Sequence, residues 1–245
     1  MNKAKHLTPK ILTKISPNDN MCDRSAETGL SNYFGVGMSA VHVICNVLDE
    51  INLKPRYILD MPCGYGRVIR FLRVVFPSAE IYACELNKEA VDFCSSVFNT
   101  HGVYSNENFT EVDFPEKIKF DLIWVGSLIT HLPQNKTIEF IQFALGKLSQ
   151  DGIIMITSHG KVIHDLMGEE RKFGLNNKQI ESVKFDYSNS GYGYGDYLHL
   201  PNLVNYGVSL INHKWWIHTA SHLGFDLNFI ESGWCSHDVV VIGKV

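Results

Sequence analysis

The sequence lacks the features that would place the protein in a membrane or on a nucleic acid. Its longest apolar runs, such as residues 153–156 and 239–242, fall far short of the roughly 18 residues that a membrane-spanning helix needs. Its 22 Lys and Arg residues against 26 Asp and Glu residues give a net charge of −4, so there is no excess of basic charge to bind phosphates. We therefore expect no membrane partner and no nucleic-acid partner.

Cysteine is present, but without the spacing of a disulfide framework or a zinc site. The 6 cysteines form no C-x-x-C pair, and the first residues lack the apolar segment of a secretory signal. Reduced thiols and a cytoplasmic location are the expected consequences. The hydrophobic content of 45% and the charged content of 20% are typical of a folded globular protein.

What the sequence does contain, between residues 39 and 158, is an alternation of short apolar segments with amphipathic ones. The apolar segments predict strands at residues 57–60, 81–84, near Val103, 120–125 and 153–158, the last preceded by a turn at residues 151–152. Three- and four-residue spacing predicts helices at residues 39–51, 67–76 and 134–148, and a further helix that Asn87 caps. Strands that alternate with helices indicate a doubly wound α/β fold with a mostly parallel sheet.

The pattern changes after His159. A helix at residues 215–223 and two strands, at 225–231 and 239–245, predict a C-terminal antiparallel hairpin at the edge of the sheet. Residues 182–206 are rich in Gly, Ser, Asn and Tyr, and we interpret them as an insertion that is either a lid over a ligand or an irregular surface loop. Residues 1–28 are predicted to form a loose arm, which leaves residues 29–245 as a single domain with that insertion.

Two glycines follow the first predicted strand, which ends at Asp60. Gly64 and Gly66 allow a tight turn and a close approach of a ligand to the backbone at the start of a helix. A dinucleotide fingerprint would have Gly or Ala where Ile69 stands, and Asp60 would repel a pyrophosphate but attract an ammonium group. Glu85, at the end of the second strand, can accept hydrogen bonds from both hydroxyls of a ribose. This holds for a dinucleotide and equally for a nucleoside cofactor that carries an ammonium group.

The segments LDMPCGYGR, ACEL and FDLIWVGSLITHL resemble those of the class I S-adenosylmethionine-dependent methyltransferases. The resemblance covers about residues 54–159 and implies a Rossmann-like, seven-stranded, mostly parallel sheet that ends in an antiparallel hairpin. It also implies S-adenosylmethionine as the cofactor. By the same resemblance, the residues that bind it are Asp60, Gly64 and Gly66 at the methionine, Glu85 at the ribose, Leu86, Asp113 and Phe114 at the adenine, and Gly126 and Ser127 beside the methionine.

Two histidines follow predicted strands at the same edge of the sheet and are candidates for a catalytic base. His131 lies just beyond the fourth strand, His159 closes the fifth, and imidazole titrates near neutral pH. His218 and His222 have a spacing that suits a metal ion but lack an obvious third ligand, so no metal is expected.

Together these patterns predict a methyltransferase that transfers a methyl group from S-adenosylmethionine to a small polar acceptor, at oxygen. Two other interpretations stay open: a nicotinamide-dependent oxidoreductase, and a partner protein that binds S-adenosylmethionine without catalysis. Asp60 and Ile69 argue against the oxidoreductase. The binding motif alone does not separate an enzyme from a protein that only binds the cofactor.

Overall fold

The structure, a computed structural model, describes residues 11–115, 117–168, 170–200 and 205–243. Its strands are β1 (Tyr57–Asp60), β2 (Glu80–Glu85), β3 (His101–Tyr104), β4 (Phe120–Val125), β5 (Leu148–Ser158), β6 (Tyr192–Asp196), β7 (Gly207–Ile211), β8 (Leu227–Trp234) and β9 (His237–Ile242). Its α-helices are α1 (Gly29–Glu50), α2 (Ile69–Val75), α3 (Lys88–Phe98), α4 (Gln134–Lys147), α5 (Lys161–Leu166), α6 (Asn177–Asn189) and α7 (His213–Leu223).

Seven strands form one sheet in the order β3-β2-β1-β4-β5-β9-β8, and β6 and β7 form a separate two-stranded hairpin. Strand β1 is parallel to both β2 and β4, and β3 is parallel to β2, whereas β9 is antiparallel to β5 and to β8. The predicted α/β fold, with a mostly parallel seven-stranded sheet and an antiparallel C-terminal hairpin, is confirmed. None of the helices in the described part of the chain is long and apolar enough to span a membrane.

The chain divides into two compact units, and the first comprises Met1–Gly126 and Lys147–Gly152. Its core includes Ile58 of β1 and Ile44 of α1, which are both fully buried. Helix α1 begins at Gly29 rather than at residue 39, and its first turns contain the buried Tyr33, whose hydroxyl donates to Asp19 at 2.6 Å. The spacing rule missed these turns because their burial depends on the segment that precedes the helix.

Arg70 of α2 attaches that preceding segment to the first unit. Its side chain is buried, and its Nη1 donates to the carbonyl oxygens of Leu12 at 2.8 Å and Lys14 at 3.2 Å. The guanidinium also lies over the ring of Tyr33, 5.2 Å from its centroid. The predicted arm is therefore held by hydrogen bonds from residue 11 onward, whereas residues 1–10 lie outside the described residues.

Strand β5 begins at Leu148 rather than at residue 153, so the predicted turn at residues 151–152 is wrong. A Cβ atom at Gly152 would lie 2.6 Å from the carbonyl oxygen of Phe120, which means that this glycine permits a close approach within a sheet and not a turn. The hydroxyl of Ser149 donates to Asp121 at 2.9 Å and gives the polar start of the strand a partner.

The second unit comprises Ser127–Gly146 and Ile153–Val245. Within it, α6 and the β6–β7 hairpin occupy most of the region where the sequence indicated an irregular insertion. Asn176 and Gln179 form a capping box that starts α6. A Cβ atom at Gly193 would lie 2.0 Å from the carbonyl oxygen of Val183, so the glycine lets the hairpin pack closely on the helix. The assignment of residues 29–245 to one domain stays a prediction.

Candidate active site

The glycine turn between β1 and α2 has an open side and a closed side. Gly64 has a φ of +48°, and a Cβ atom there would meet nothing within 4 Å. Gly66 has a φ of +77°, and a Cβ atom there would lie 2.5 Å from the ring of Phe98 and 3.1 Å from Sγ of Cys94. The turn thus leaves its backbone open to a ligand at Gly64, while Gly66 lets it pack against α3.

Asp60 ends β1 as a buried side chain, and its Oδ2 has no hydrogen-bond partner. Burial raises the pKa of Asp60 well above the usual range, the charge of Glu85 raises it further, and Arg67 opposes both effects. An unpartnered buried carboxylate oxygen is costly unless a donor reaches it. The ammonium group of an amino acid would supply such a donor together with a compensating positive charge.

Glu85 ends β2, and main-chain N–H groups hold both of its carboxylate oxygens. Oε1 accepts from Leu86 at 2.7 Å and from Asn87 at 3.3 Å, and Oε2 accepts from Gly64 at 3.2 Å. The carboxylate therefore joins the turn after β1 to the turn after β2. Each oxygen keeps lone-pair capacity for a further donor such as a hydroxyl. Leu86, 57% exposed, offers an apolar surface at the same turn.

Asp113 and Phe114 border a different feature of the first unit. Asp113 is exposed and lines, with Tyr82 and His101, a cavity of about 390 Å³. Phe114 lines the same cavity and is buried against Phe120, with ring centroids 5.5 Å apart. Tyr82 lies in the middle of β2 and His101 at the start of β3, so this cavity is not at the strand ends. A role for Asp113 and Phe114 at the adenine stays a prediction.

Two residues that the sequence analysis did not single out meet the turn after β2. Ser105 follows β3, and its N–H donates to the carbonyl oxygen of Glu85 at 2.8 Å. Tyr65, in the glycine turn, accepts on its hydroxyl a hydrogen bond from the side chain of Asn87 at 3.3 Å. Ser105 could have been found from the rule that the carboxyl ends of parallel strands share an edge, but the sequence marks the end of β3 weakly.

Gly126 and Ser127 follow β4, as expected. Ser127 has a φ of +60°, and its N–H donates to the hydroxyl of Thr157 at 2.8 Å. This donor is therefore engaged within the protein, which leaves the side chain of Ser127 as its remaining polar group. That Gly126 and Ser127 contact the methionine stays a prediction.

His131 ends a short 3₁₀ turn, Ile129–His131, that follows β4 in the chain. Its Nδ1 lies 2.9 Å from the carbonyl oxygen of Gly207 and 3.2 Å from the hydroxyl of Tyr197. Because a carbonyl oxygen can only accept, Nδ1 carries the hydrogen atom and Nε2 keeps its lone pair. Burial lowers the pKa of His131, so the ring is neutral at neutral pH.

His159 lies just beyond β5 and is buried, with Nδ1 3.1 Å from the carbonyl oxygen of Ser209. Burial lowers the pKa of His159 to about 3, and His237 and His131 lower it as well. The ring centroid of His159 is 4.7 Å from that of His237, a residue that the sequence analysis missed. Strand β9 is antiparallel to β5, so the start of β9 lies beside the end of β5 and these two histidines meet. This pairing is what would have indicated His237.

Comparison with known proteins gives a family match and a set of similar structures. A family model described as a methyltransferase domain matches residues 58–152. An S-adenosylmethionine-dependent methyltransferase from Clostridium acetobutylicum ATCC 824 is 12% identical, with a TM-score of 0.58, over 84% of this chain and 90% of that one. The plantazolicin methyltransferase BpumL, solved in complex with SAH, is 13% identical, with a TM-score of 0.57, over 91% of each chain.

A third similar structure is an O-methyltransferase family protein from Burkholderia thailandensis, which is 14% identical with a TM-score of 0.51. The match covers 90% of this chain and 61% of that one. At these identities the likeness shows the fold. Among curated protein sequences, none matches this chain.

The matched segment contains the residues on which the choice of cofactor depends. The matched residues include Asp60, the glycine turn and Glu85. The unpartnered oxygen of Asp60 and the open side of Gly64 fit an ammonium group, which S-adenosylmethionine has at its methionine end. Residues 58–152 therefore match a methyltransferase domain, and the chain has the fold of solved S-adenosylmethionine-dependent methyltransferases.

Proposed function

We propose that this protein methylates an oxygen atom of a small polar acceptor and that His131 is the general base. The observation that carries the proposal is the hydrogen bond from Nδ1 of His131 to the carbonyl oxygen of Gly207. It fixes the neutral tautomer whose Nε2 can take a proton. Burial supports the same role, because it lowers the pKa of His131 and keeps the ring in the basic form.

We assign binding of the cofactor to the residues around the glycine turn. Asp60 would accept hydrogen bonds from the ammonium group on its unpartnered Oδ2. Glu85 would accept from the ribose hydroxyls, and Leu86 would contact the adenine. The open side of Gly64 would let the methionine approach the backbone closely, and Gly66 would shape the turn by letting it pack against α3. Roles for Asp113, Phe114, Gly126 and Ser127 remain part of the proposal on the resemblance alone.

The chemistry needs little from the protein besides alignment and proton removal. When bound, S-adenosylmethionine supplies a methyl group on a positively charged sulfur, which leaves as a neutral thioether when the acceptor oxygen bonds to the methyl carbon. The hydroxyl proton passes to Nε2 of His131, which becomes an imidazolium. His159 is the weaker candidate for this role, because burial lowers its pKa to about 3 and so makes it a poor base.

Replacement of His131 by Asn tests the base. The amide of His131→Asn can still donate to Gly207, but it has no group at the place of Nε2. We expect kcat to fall by about 10²–10⁴-fold, while the Kd for S-adenosylhomocysteine, measured by calorimetry, stays unchanged. Turnover is measured by mass spectrometry of methylated products, with a panel of acceptors that carry hydroxyl, amine or thiol groups.

The exposed His222 provides the matched control, since His222→Asn should keep the wild-type rate. In the wild type, kcat should fall as the pH drops through the pKa of His131, because only the neutral ring accepts a proton. Burial lowers that pKa, so the fall begins below the usual histidine value of about 6.5. Methylation of amines or thiols alone, or wild-type turnover by His131→Asn, would reject the proposal.

We also propose that the protein acts in the cytoplasm on a freely diffusing acceptor. Cys22, Cys63, Cys84 and Cys94 are buried thiols that form no disulfide. Unpaired thiols suit a reducing compartment. Localisation of the tagged protein by fractionation checks this placement.

A further inference from the structure

Strand β7 fixes two histidines of the second unit in the same chemical form. The carbonyl oxygen of Gly207 accepts from Nδ1 of His131 at 2.9 Å, and that of Ser209 accepts from Nδ1 of His159 at 3.1 Å. Alternate carbonyl groups of a strand point to the same edge and lie about 7 Å apart. Both rings therefore carry their hydrogen atom on Nδ1 and present a lone pair on Nε2.

The same strand is tied to the chain on either side of these histidines. The hydroxyl of Ser209 donates to the carbonyl oxygen of Ile129 at 2.6 Å, and the N–H of Ile211 donates to the carbonyl oxygen of His159 at 2.8 Å. These bonds hold β7 in register with both histidines. The two Nδ1 atoms are therefore anchored to alternate carbonyl groups of one strand.

A third histidine adds an unsatisfied group to the cluster. Nδ1 of His237 is buried and has no hydrogen-bond partner, and its ring lies edge-on to that of His159. His237 follows a two-residue turn, Cys235 and Ser236, in which both residues have a positive φ, +51° and +65°. A positive φ at both central residues is the usual conformation of a two-residue hairpin turn, which here joins β8 to β9 and places His237 at the first position of β9.

The rings that pack against the cluster are aromatic. Burial lowers the pKa of His237 to about 4 and that of His159 to about 3, and the other charges acting on these rings are those of the cluster itself. Tyr206 stacks on His131 with ring centroids 4.9 Å apart, and Phe173 lies 5.8 Å from His159. An anion would find no cation among these groups, whereas flat apolar faces and lone pairs are available.

We infer that the cluster of His131, His159 and His237 binds the acceptor as an uncharged, flat molecule with two hydrogen-bond donors about one aromatic ring apart. One donor group of the ligand hydrogen-bonds to Nε2 of His131, and the other hydrogen-bonds to Nε2 of His159. The group at His159 also hydrogen-bonds with Nδ1 of His237. The identification of this ligand as the acceptor rests on the proposed function. Hydroquinone, a ring with a hydroxyl at each end, is the simplest probe of this class.

Heteronuclear NMR of the histidine-ring nitrogens in the full-length protein tests the inference. In the free protein at neutral pH, His131 and His159 should both show the tautomer with hydrogen on Nδ1. Hydroquinone should shift the Nε2 signals of both residues in a saturable way and leave those of the exposed His222 unchanged. Para-methoxyphenol, which lacks one donor, should bind about twofold to tenfold more weakly. Para-hydroxybenzoate, an anion, should bind no more tightly than para-methoxyphenol.

His159→Asn is the informative variant, because its amide can still donate to Ser209 but has no acceptor at the place of Nε2. It should bind hydroquinone and para-methoxyphenol equally, while His222→Asn should keep the wild-type preference. The inference is overturned if hydroquinone does not bind the wild type, if para-hydroxybenzoate binds more tightly than hydroquinone, or if His159→Asn still prefers hydroquinone to para-methoxyphenol. Calorimetry with S-adenosylhomocysteine is run on the same samples, so loss of cofactor binding would count against the proposed function alone.

Discussion

The two compact units hold their candidate functional groups in opposite ways. In the first unit, main-chain N–H groups bind the carboxylate of Glu85, and Asp60 keeps one carboxylate oxygen without a partner. In the second unit, main-chain carbonyl oxygens bind Nδ1 of His131 and of His159. The first arrangement leaves a carboxylate oxygen free to accept from a cationic ligand, and the second leaves a lone pair on each neutral imidazole ring to accept a proton.

In each unit, hydrogen bonds from the main chain therefore determine which side-chain atoms remain available to a ligand. A carboxylate held by main-chain N–H donors keeps lone pairs for hydroxyl groups, and a buried carboxylate oxygen without a partner favours an ammonium group. A histidine whose Nδ1 donates to a carbonyl oxygen, in a buried setting, stays neutral and can accept a proton. Changes on the carboxylate side should therefore affect cofactor affinity, and changes on the histidine side should affect turnover and pH dependence.

The largest effect on the carboxylate side is expected for Glu85. Glu85→Ala should lose about 1.5–3 kcal/mol of binding free energy for S-adenosylhomocysteine, the range for hydrogen bonds to a charged group. The free energy of unfolding should fall as well, by about 1–3 kcal/mol, because the main-chain N–H groups of Gly64, Leu86 and Asn87 lose their acceptor. Calorimetric titration and urea denaturation measure the two quantities, and Glu50→Gln, an exposed change at the end of α1, is the control. Unchanged affinity in Glu85→Ala would contradict the assignment.

The glycine turn offers a pair of substitutions that separates stability from binding. Gly66→Ala should destabilise the protein by about 1–3 kcal/mol, because the residue has a φ of +77° and its Cβ would press on the ring of Phe98. Gly64→Ala should cost only about 1 kcal/mol, since its Cβ meets open space. It should nevertheless weaken cofactor binding, because that open side is the proposed approach. Equal losses of stability in both variants would show that the two sides of the turn do not differ.

The buried His159 and His237 should make the free energy of unfolding depend on pH. The folded-state pKa values of His159 and His237, about 3 and about 4, lie below the unfolded value of about 6.5. The unfolded chain therefore binds more protons in this window, so stability falls as the pH drops below about 6.5. Each histidine should contribute a slope of up to about 1.4 kcal/mol per pH unit. Urea denaturation of His159→Asn should show a shallower slope than the wild type or His222→Asn; identical slopes would mean that His159 is not held neutral.

The positions of Asp60 and Glu85 at strand ends were easier to predict from the sequence than the contacts of the histidines, for a physical reason. The buried parallel strands β1 and β4 read as short apolar runs, and Asp60 and Glu85 stand directly at strand ends. The predicted bounds of β1 and β4 match the structure. Positions of this kind follow from the local sequence, because the carboxyl ends of parallel strands share one edge.

The histidine side depends on contacts between distant parts of the chain. Strand β7 directly follows the Gly- and Tyr-rich segment and was not predicted, and its contacts with the histidines are made by the carbonyl groups of Gly207 and Ser209, which any residue possesses. His237 becomes visible only when β9 pairs with β5. His131 and His159 were predicted as candidates, but the tautomer that suits them to accept a proton required the structure.

The central claim is that Asp60 binds the ammonium end of S-adenosylmethionine, and one calorimetric comparison tests it most directly. Wild type and Asp60→Asn are titrated with S-adenosylhomocysteine and with methylthioadenosine, which lacks the amino-acid end. We expect Asp60→Asn to lose about tenfold to hundredfold in affinity for S-adenosylhomocysteine and to bind methylthioadenosine as the wild type does. If both ligands weaken by the same factor, or if neither weakens, Asp60 does not bind the ammonium group.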